Sequence, residues 1–312
     1  MQGKIAFLFP GQGSQIVGMG KDLCERFPDV RKLFEKVDSI CGKPISRLCF
    51  DGPMEELTIT ENLQPAISVV SLACLQILND SGIKPDISAG HSLGEYAALA
   101  GAGVLSQEDT LRLVRKRGEL MQREAEANPG GMVAVMGMGI EEVEAIVRDA
   151  SREGPIAIAN HNTAEQIVIT GERQALSRAT VMVKEKGKKA IPLKVSGAWH
   201  SPLMKGAVNE FREFMESVRF SPPQSRILFN ATAKDESDPY AMKDLMANQL
   251  VSPVRWYDIV MKMLSEGVVH FVEVGPKTVL IGLVKKIAPK DREVHYWPVG
   301  DLEGIEEFLA AF

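Results

Sequence analysis

The chain has 312 residues, 45% of them hydrophobic and 25% charged, with a formal net charge of −5. This is the composition of an ordinary soluble globular protein, and it excludes bulk nucleic-acid binding, which needs a basic excess. Cys24, Cys41, Cys49 and Cys74 form no C-x-x-C pair, so neither a disulfide framework nor a zinc site is expected and the thiols read as free in a reducing compartment. No stretch is long and apolar enough to span a membrane, and the apolar run Ile5–Phe9 is too short for a signal sequence, so a cytoplasmic location is the expectation.

Ile5–Phe9 is continuously apolar, the mark of a strand buried on both faces. Pro10-Gly11-Gln12-Gly13-Ser14-Gln15 then reads as a loop. Apolar residues at helical spacing predict helices over Lys21–Phe27, Pro28–Cys41 and Gln64–Ser81. Pro85 to Ala89 reads as a short strand, and Gly90-His91-Ser92-Leu93-Gly94 opens a helix of small and apolar residues. A strand, G-x-S-x-G and a helix make the context of a nucleophile elbow, which pushes a serine hydroxyl out of a sharp turn. Ser92 is therefore a candidate acyl-transfer nucleophile; a plain helix N-cap is the competing reading. A helix from Ser106 to Ala127 follows, with Ser106 as N-cap and Asp109 in reach of a capping box.

After Asn128-Pro129-Gly130-Gly131 the pattern becomes self-contained. Strands are predicted at Met132–Met136, Ile156–Asn160, Gln166–Thr170 and Ala190–Val195, with helices at Ile140–Ala150 and Arg173–Lys186. That βαββαβ order is ferredoxin-like. Residues 128–196 thus read as a small ferredoxin-like domain inserted into a large α/β domain made of 1–127 and 197–312. The remainder alternates: helices at Pro202–Val218, Tyr240–Gln249, Val254–Glu266 and Thr278–Ile287, strands at Arg226–Asn230 and Val268–Val274. The whole predicts an α/β-hydrolase-like domain with a mainly parallel sheet.

A serine needs a base. Of the histidines, His91 adjoins Ser92 but points away from it on an elbow, His270 lies inside a strand, and His295 has nothing catalytic nearby. His161 follows a strand, and His200 sits in a loop entering a helix, the placement that favours it as base. Gly11-Gln12-Gly13 fails the dinucleotide fingerprint because Ile16 stands where the third glycine belongs. It fits instead a loop offering backbone N–H groups to an anion, half of an oxyanion hole with Leu93 as the other half. Among the basic residues of the 106–127 helix, Arg117 alone phases with Leu113, Leu120 and Met121 on the core side, which suggests a ligand carboxylate.

Together the segments Phe9 to Gln15, Gly90 to Tyr96, Arg117-Gly118 with Met121, His200 to Met204, Gln249-Leu250 with Pro253-Val254, and Glu273 to Pro276 resemble the malonyl-CoA:acyl carrier protein transacylase family over essentially the whole chain. The resemblance implies that Ser92 takes the malonyl group from coenzyme A and passes it to the phosphopantetheine thiol of acyl carrier protein, in ping-pong order. His200 is then base and acid, oriented by the backbone carbonyl of Gln249 with no aspartate. The Gln12 and Leu93 amides form the oxyanion hole, and Arg117 grips the malonyl carboxylate. No cofactor and no metal are implied; the partners are malonyl-CoA and an acidic carrier protein, met by Lys184, Lys186, Lys188 and Lys189 or by Lys285 and Lys286. A monomer is expected.

Two departures stand out. Asn160-His161-Asn162-Thr163-Ala164-Glu165-Gln166 keeps the asparagines of the family's pocket edge but loses its aromatic residue and Ser-Pro-Gly turn. Trp199 precedes His200 where malonyl-selective relatives often carry phenylalanine, which predicts a pocket narrowed against an α-methyl branch. The competing functions are a polyketide acyltransferase acting in trans, a serine hydrolase and a non-catalytic carrier-protein module. Arg117 argues against the second, and Ser92 with His200 and Arg117 argues against the third.

Overall fold

Alternate side chains of the first strand enter different cores, and that sets the architecture. In the computed structural model, which describes residues 3–312, β1 (Lys4–Phe9) sends Phe7 and Phe9 into one apolar cluster and Ala6 and Leu8 into another. A strand buried on both faces requires helices on both sides of its sheet. In chain order there follow α1 (Lys21–Arg26), α2 (Pro28–Cys41), α3 (Ile45–Asp51), α4 (Met54–Leu57), α5 (Thr60–Asp80), β2 (Ile87–Gly90), α6 (Gly94–Gly101) and α7 (Gln107–Ala127). Then come β3 (Gly131–Met136), α8 (Ile140–Ala150), β4 (Ile156–Thr163), β5 (Gln166–Gly171), α9 (Arg173–Glu185) and β6 (Lys189–Pro192). The last part holds α10 (Lys205–Glu216), β7 (Arg226–Ile227), α11 (Pro239–Asn248), α12 (Trp256–Ser265), β8 (Val268–Val274), α13 (Val279–Ile287), β9 (His295–Val299) and α14 (Leu302–Ala311).

The main sheet is five-stranded, in the order β7-β2-β1-β8-β9, and every pairing is parallel. Phe9 lies in register with Gly90, so the carboxyl ends of β1 and β2 sit side by side. The loops leaving parallel strands at this end are where open α/β sheets build ligand sites. Helix α5 is buried on nearly every side, as a helix apolar all round must be. Ser106 caps α7, accepting the Asp109 N–H at 3.0 Å, as the capping-box spacing predicts.

The second sheet is four-stranded and antiparallel, in the order β4-β5-β3-β6. One face packs on α8 and α9 through Val135, Ile146, Ile167, Ile169 and Val183. Met132, Ala134, Ala159 and Val168 on the other face join the largest core cluster. A bridge between Asn160 and Val254 ties β4 to the start of α12.

Several boundaries differ from the sequence expectation. Helix α5 starts at Thr60 and contains Pro65, whereas the apolar spacing predicted a start at Gln64. The segment expected as one helix over Pro202–Val218 is a 3-10 turn at Pro202–Met204 and then α10. Strand β6 spans Lys189–Pro192, three residues short of the expected end at Val195. Strand β7 is only Arg226–Ile227, which frees Asn230 for the site. Helices α3, α4 and α14 and strand β9 were not expected as elements.

Candidate active site

The elbow is built by close approach. A Cβ on Gly94 would lie 1.9 Å from the Phe9 carbonyl oxygen, and one on Gly90 would lie 1.9 Å from the Gly94 carbonyl carbon. Only glycine fits at either place. Between them Ser92 has φ 52°, in the left-handed region. That conformation costs a non-glycine residue on the order of 1–3 kcal/mol, so the surroundings must hold it. Asn230 does so: its Oδ1 accepts the Ser92 N–H at 2.7 Å, and its Nδ2 donates to the Gly90 carbonyl at 2.7 Å. The Ser92 amide is thereby occupied. The Leu93 amide lies at the N-terminus of α6, which has no side-chain cap. Gln12 lies in the loop after β1, pressed so close to the elbow that a Cβ on Gly11 would sit 2.4 Å from the His91 carbonyl oxygen.

His200 is the histidine brought to Ser92. Its Nε2 is 2.7 Å from Ser92 Oγ, and its own φ is 60°. Nδ1 faces two carbonyl oxygens, Gln249 O at 2.9 Å and Ser252 O at 3.0 Å. Carbonyls only accept, so Nδ1 carries the hydrogen and Nε2 is the lone-pair nitrogen aimed at the serine O–H. Burial, with the nearby Arg117 charge, pulls the imidazole pKa down to about 3. His200 is therefore neutral at physiological pH, the form that can accept a proton.

Arg117 is completely buried on α7. Its guanidinium donates to Gln64 Oε1 at 3.0 Å, Gln249 Oε1 at 3.0 Å and Ser92 Oγ at 3.1 Å. Its carbon lies 5.5 Å from the Tyr96 ring centroid, and its Nε finds no acceptor among the described residues. These bonded partners are amide and hydroxyl oxygens, so the buried cation has no carboxylate in direct contact with it among the described residues. The arrangement therefore offers, at one point, a hydroxyl with a neutral base and a cation able to receive a carboxylate.

The other expected residues divide. Asn162 Oδ1 meets His91 Nε2 at 2.9 Å, tying the small sheet to the elbow. Asn160 pairs through its backbone with Val254. Trp199 is buried and, with Gln12, Gly13, Leu63 and Leu193, lines a pocket of about 320 Å³. His161 packs on Tyr257 with ring centroids 4.9 Å apart, and His270 stacks on His295; neither belongs to the site. Gln64, Asn230, Ser252 and the side chains of Gln249 and Glu95 do belong, and were not singled out from sequence. Gln64 and Glu95 left a signal, as polar residues in otherwise apolar helical runs; Asn230 left none.

The acyl transferase domain family matches residues 6–297. A malonyl CoA-acyl carrier protein transacylase of Bacillus subtilis (strain 168) is 43% identical over 305 residues, covering 97% of this chain and 95% of the relative. An acyl carrier protein S-malonyltransferase from Vibrio cholerae superposes with a TM-score of 0.93 at 37% identity, covering 98% of this chain and 99% of the other. A malonyl-transacylase solved in complex with its type II PKS acyl-carrier protein superposes with a TM-score of 0.94 at 35% identity, covering 99% and 100%. With the elbow, its base and the buried arginine in place, the chain belongs to the malonyl-CoA:acyl carrier protein transacylase family of acyl transferases.

Proposed function

We propose that this enzyme moves a malonyl group from malonyl-CoA to the phosphopantetheine thiol of acyl carrier protein, for fatty-acid synthesis. His200 Nε2 takes the Ser92 Oγ proton as Oγ attacks the thioester carbonyl. The oxyanion rests on the Gln12 and Leu93 amides, which act because they are fixed before charge develops. Collapse expels the coenzyme A thiolate, which recovers the proton from His200, leaving malonyl-serine. The carrier thiol then gives its proton to His200 and attacks the ester, and the proton returns to Ser92 Oγ.

One observation carries this reading: a fully buried Arg117 whose partners beside the Ser92–His200 pair are neutral oxygens. Guanidinium binds carboxylate through parallel charge-assisted bonds. A malonyl group supplies the missing charge, whereas an acetyl group leaves the cation unpaired. The reading extends to architecture: residues 1–127 and 197–312 form a hydrolase-like large domain, and 128–196 a ferredoxin-like small one, consistent with the order of β3 to β6 and their helices. Asn160, Asn162 and Trp199 edge the pocket. The enzyme works as a monomer without cofactor or metal, and Lys184 to Lys189 or Lys285 and Lys286 receive the acidic carrier protein.

Intact-mass measurement after mixing with malonyl-CoA tests the reading. A malonyl adduct is expected on the wild type, absent in Ser92→Ala, and discharged by carrier protein. An adduct that persists in Ser92→Ala, or that water removes as fast as the carrier does, would overturn it.

A further inference from the structure

Glu95 has no task in the reaction as written, yet it sits at the centre of the site. It follows Ser92 by one turn of chain on α6 and is 1% exposed. A carboxylate so deep is tolerated only when its oxygens are bonded. Oε1 accepts the Asn230 backbone N–H at 2.6 Å, and Oε2 accepts from the Gln249 side-chain amide. These two bonds lead to opposite sides of the nucleophile. Asn230 holds the Ser92 amide. Gln249 holds Arg117 through Oε1 at 3.0 Å and donates to the Ser92 carbonyl at 2.9 Å.

The Gln249 branch is directional. A primary amide accepts at one end and donates at the other, and a carboxylate only accepts. Ionised Glu95 therefore turns the Gln249 NH2 toward itself, and the carbonyl end is left facing Arg117. The reversed amide would set donor against donor at Arg117 and acceptor against acceptor at Glu95. Gln64 is turned the same way, with Oε1 on Arg117 and Nε2 toward Met121 Sδ. The guanidinium is thus held by two amides, and one of these takes its direction from Glu95.

We propose that Glu95 is a positioning residue for acyl selection: acting through the Gln249 side chain, it fixes the Arg117 guanidinium beside Ser92 and so sets the preference for acyl groups that carry a carboxylate. The proposal rests on the reading of Arg117 as the carboxylate clamp. Burial raises the Glu95 carboxyl to about 7, even with its bonds to Asn230 and Gln249 and the Arg117 charge holding it down. Glu95 thus serves the clamp at one remove and never touches substrate. A carboxylate that served only to pack the core would, when altered, lower stability and slow every acyl donor alike. A positioning residue changes the ratio between donors.

The test compares kcat/KM for Ser92 acylation by malonyl-CoA and acetyl-CoA in the full chain, with the melting temperature recorded alongside. Glu95→Gln keeps the shape but meets Gln249 in either orientation. Malonyl-CoA is expected to lose about tenfold, the size of one misaligned charge-assisted bond. Acetyl-CoA is expected to change far less, so the ratio falls. Gln249→Ala keeps the backbone carbonyl on His200 and is expected to lower the same ratio. The double variant is expected to add nothing to Gln249→Ala, because the two residues act in series. An unchanged ratio in Glu95→Gln, an equal loss for both donors, or effects that multiply in the double variant would overturn the proposal. If Glu95→Gln does not fold, an unchanged ratio in Gln249→Ala overturns it alone. Wild-type malonylation is the control: its failure sinks the reading of the reaction, whereas its success with an unmoved ratio sinks only the role of Glu95.

Discussion

Replacing Arg117 by methionine removes the cation and keeps most of the volume, and the structure sets the size of the effect. Each charge-assisted hydrogen bond to a buried guanidinium contributes about 1.5–3 kcal/mol. Two parallel bonds to the malonyl carboxylate then contribute about 3–6 kcal/mol, or roughly 10²- to 10⁴-fold in kcat/KM at about 1.4 kcal/mol per tenfold. Acetyl-CoA makes neither bond, and its acylation rate is expected to hold or rise, since the apolar side chain no longer leaves a charge unpaired. Stability moves in two directions. Exchanging a poorly compensated buried charge for an apolar group of similar volume is neutral or favourable by about 1–4 kcal/mol. Gln64 Oε1 and Gln249 Oε1 lose their donor, at about 1–3 kcal/mol each. These offset, so the variant is expected to fold. Single-turnover acylation read by intact mass, with each acyl-CoA in turn, measures the contrast. A malonyl loss below tenfold, or equal losses for both donors, would refute the clamp.

Two further outcomes follow from the same geometry. With its pKa near 3 against 6.5 for a free imidazole, His200 is expected to show no inflection between pH 5 and 8 in an NMR titration, and a midpoint above 6 would contradict its burial. Because the native value lies below the unfolded one, the stability it confers is complete above pH 6.5 and is lost as pH falls toward 3. Trp199→Ser opens the wall of the 320 Å³ pocket and is expected to raise the rate with methylmalonyl-CoA relative to malonyl-CoA about tenfold, the scale of accommodating one methyl group; kinetics showing no relative gain would remove Trp199 from selectivity.

Much of this fold is written in local pattern. The apolar run Ile5–Phe9 has no polar face, and so it becomes the central strand of a parallel sheet. The alternation of strand and helix after Gly130 likewise appears as an antiparallel sheet with two helices on one face. What was missed is short or tertiary. Helix α4 is too brief for a helical period to show, being four residues long. Strand β9 is half-exposed and contains Pro298, yet it pairs with β8 over five residues. It is an edge strand, where proline is permitted.

The site divides along the same line, and the division has a chemical reason. Ser92, Arg117 and His200 are legible because each violates its surroundings: a serine in a strand-to-helix turn, an arginine on an apolar helix face, a histidine in a loop before proline. The residues that position them, Gln64, Glu95, Asn230 and Gln249, are neutral amides and one acid whose meaning exists only across distant segments. The groups that Arg117 is bonded to are neutral. A carboxylate on His200 Nδ1, so near Arg117, would raise the imidazole pKa and offer the guanidinium the counter-ion that a substrate must otherwise bring. Backbone carbonyls at Gln249 and Ser252 orient the ring without charge. Glu95, the acid bonded into this network, has its carboxylate turned to Asn230 and Gln249, and Gln249 presents Arg117 with a neutral carbonyl in its place. With Arg117 bonded only to neutral oxygens and Glu95 turned to Asn230 and Gln249, a substrate carboxylate is the group that can pair with the guanidinium directly, and the selectivity proposed for this site rests on that.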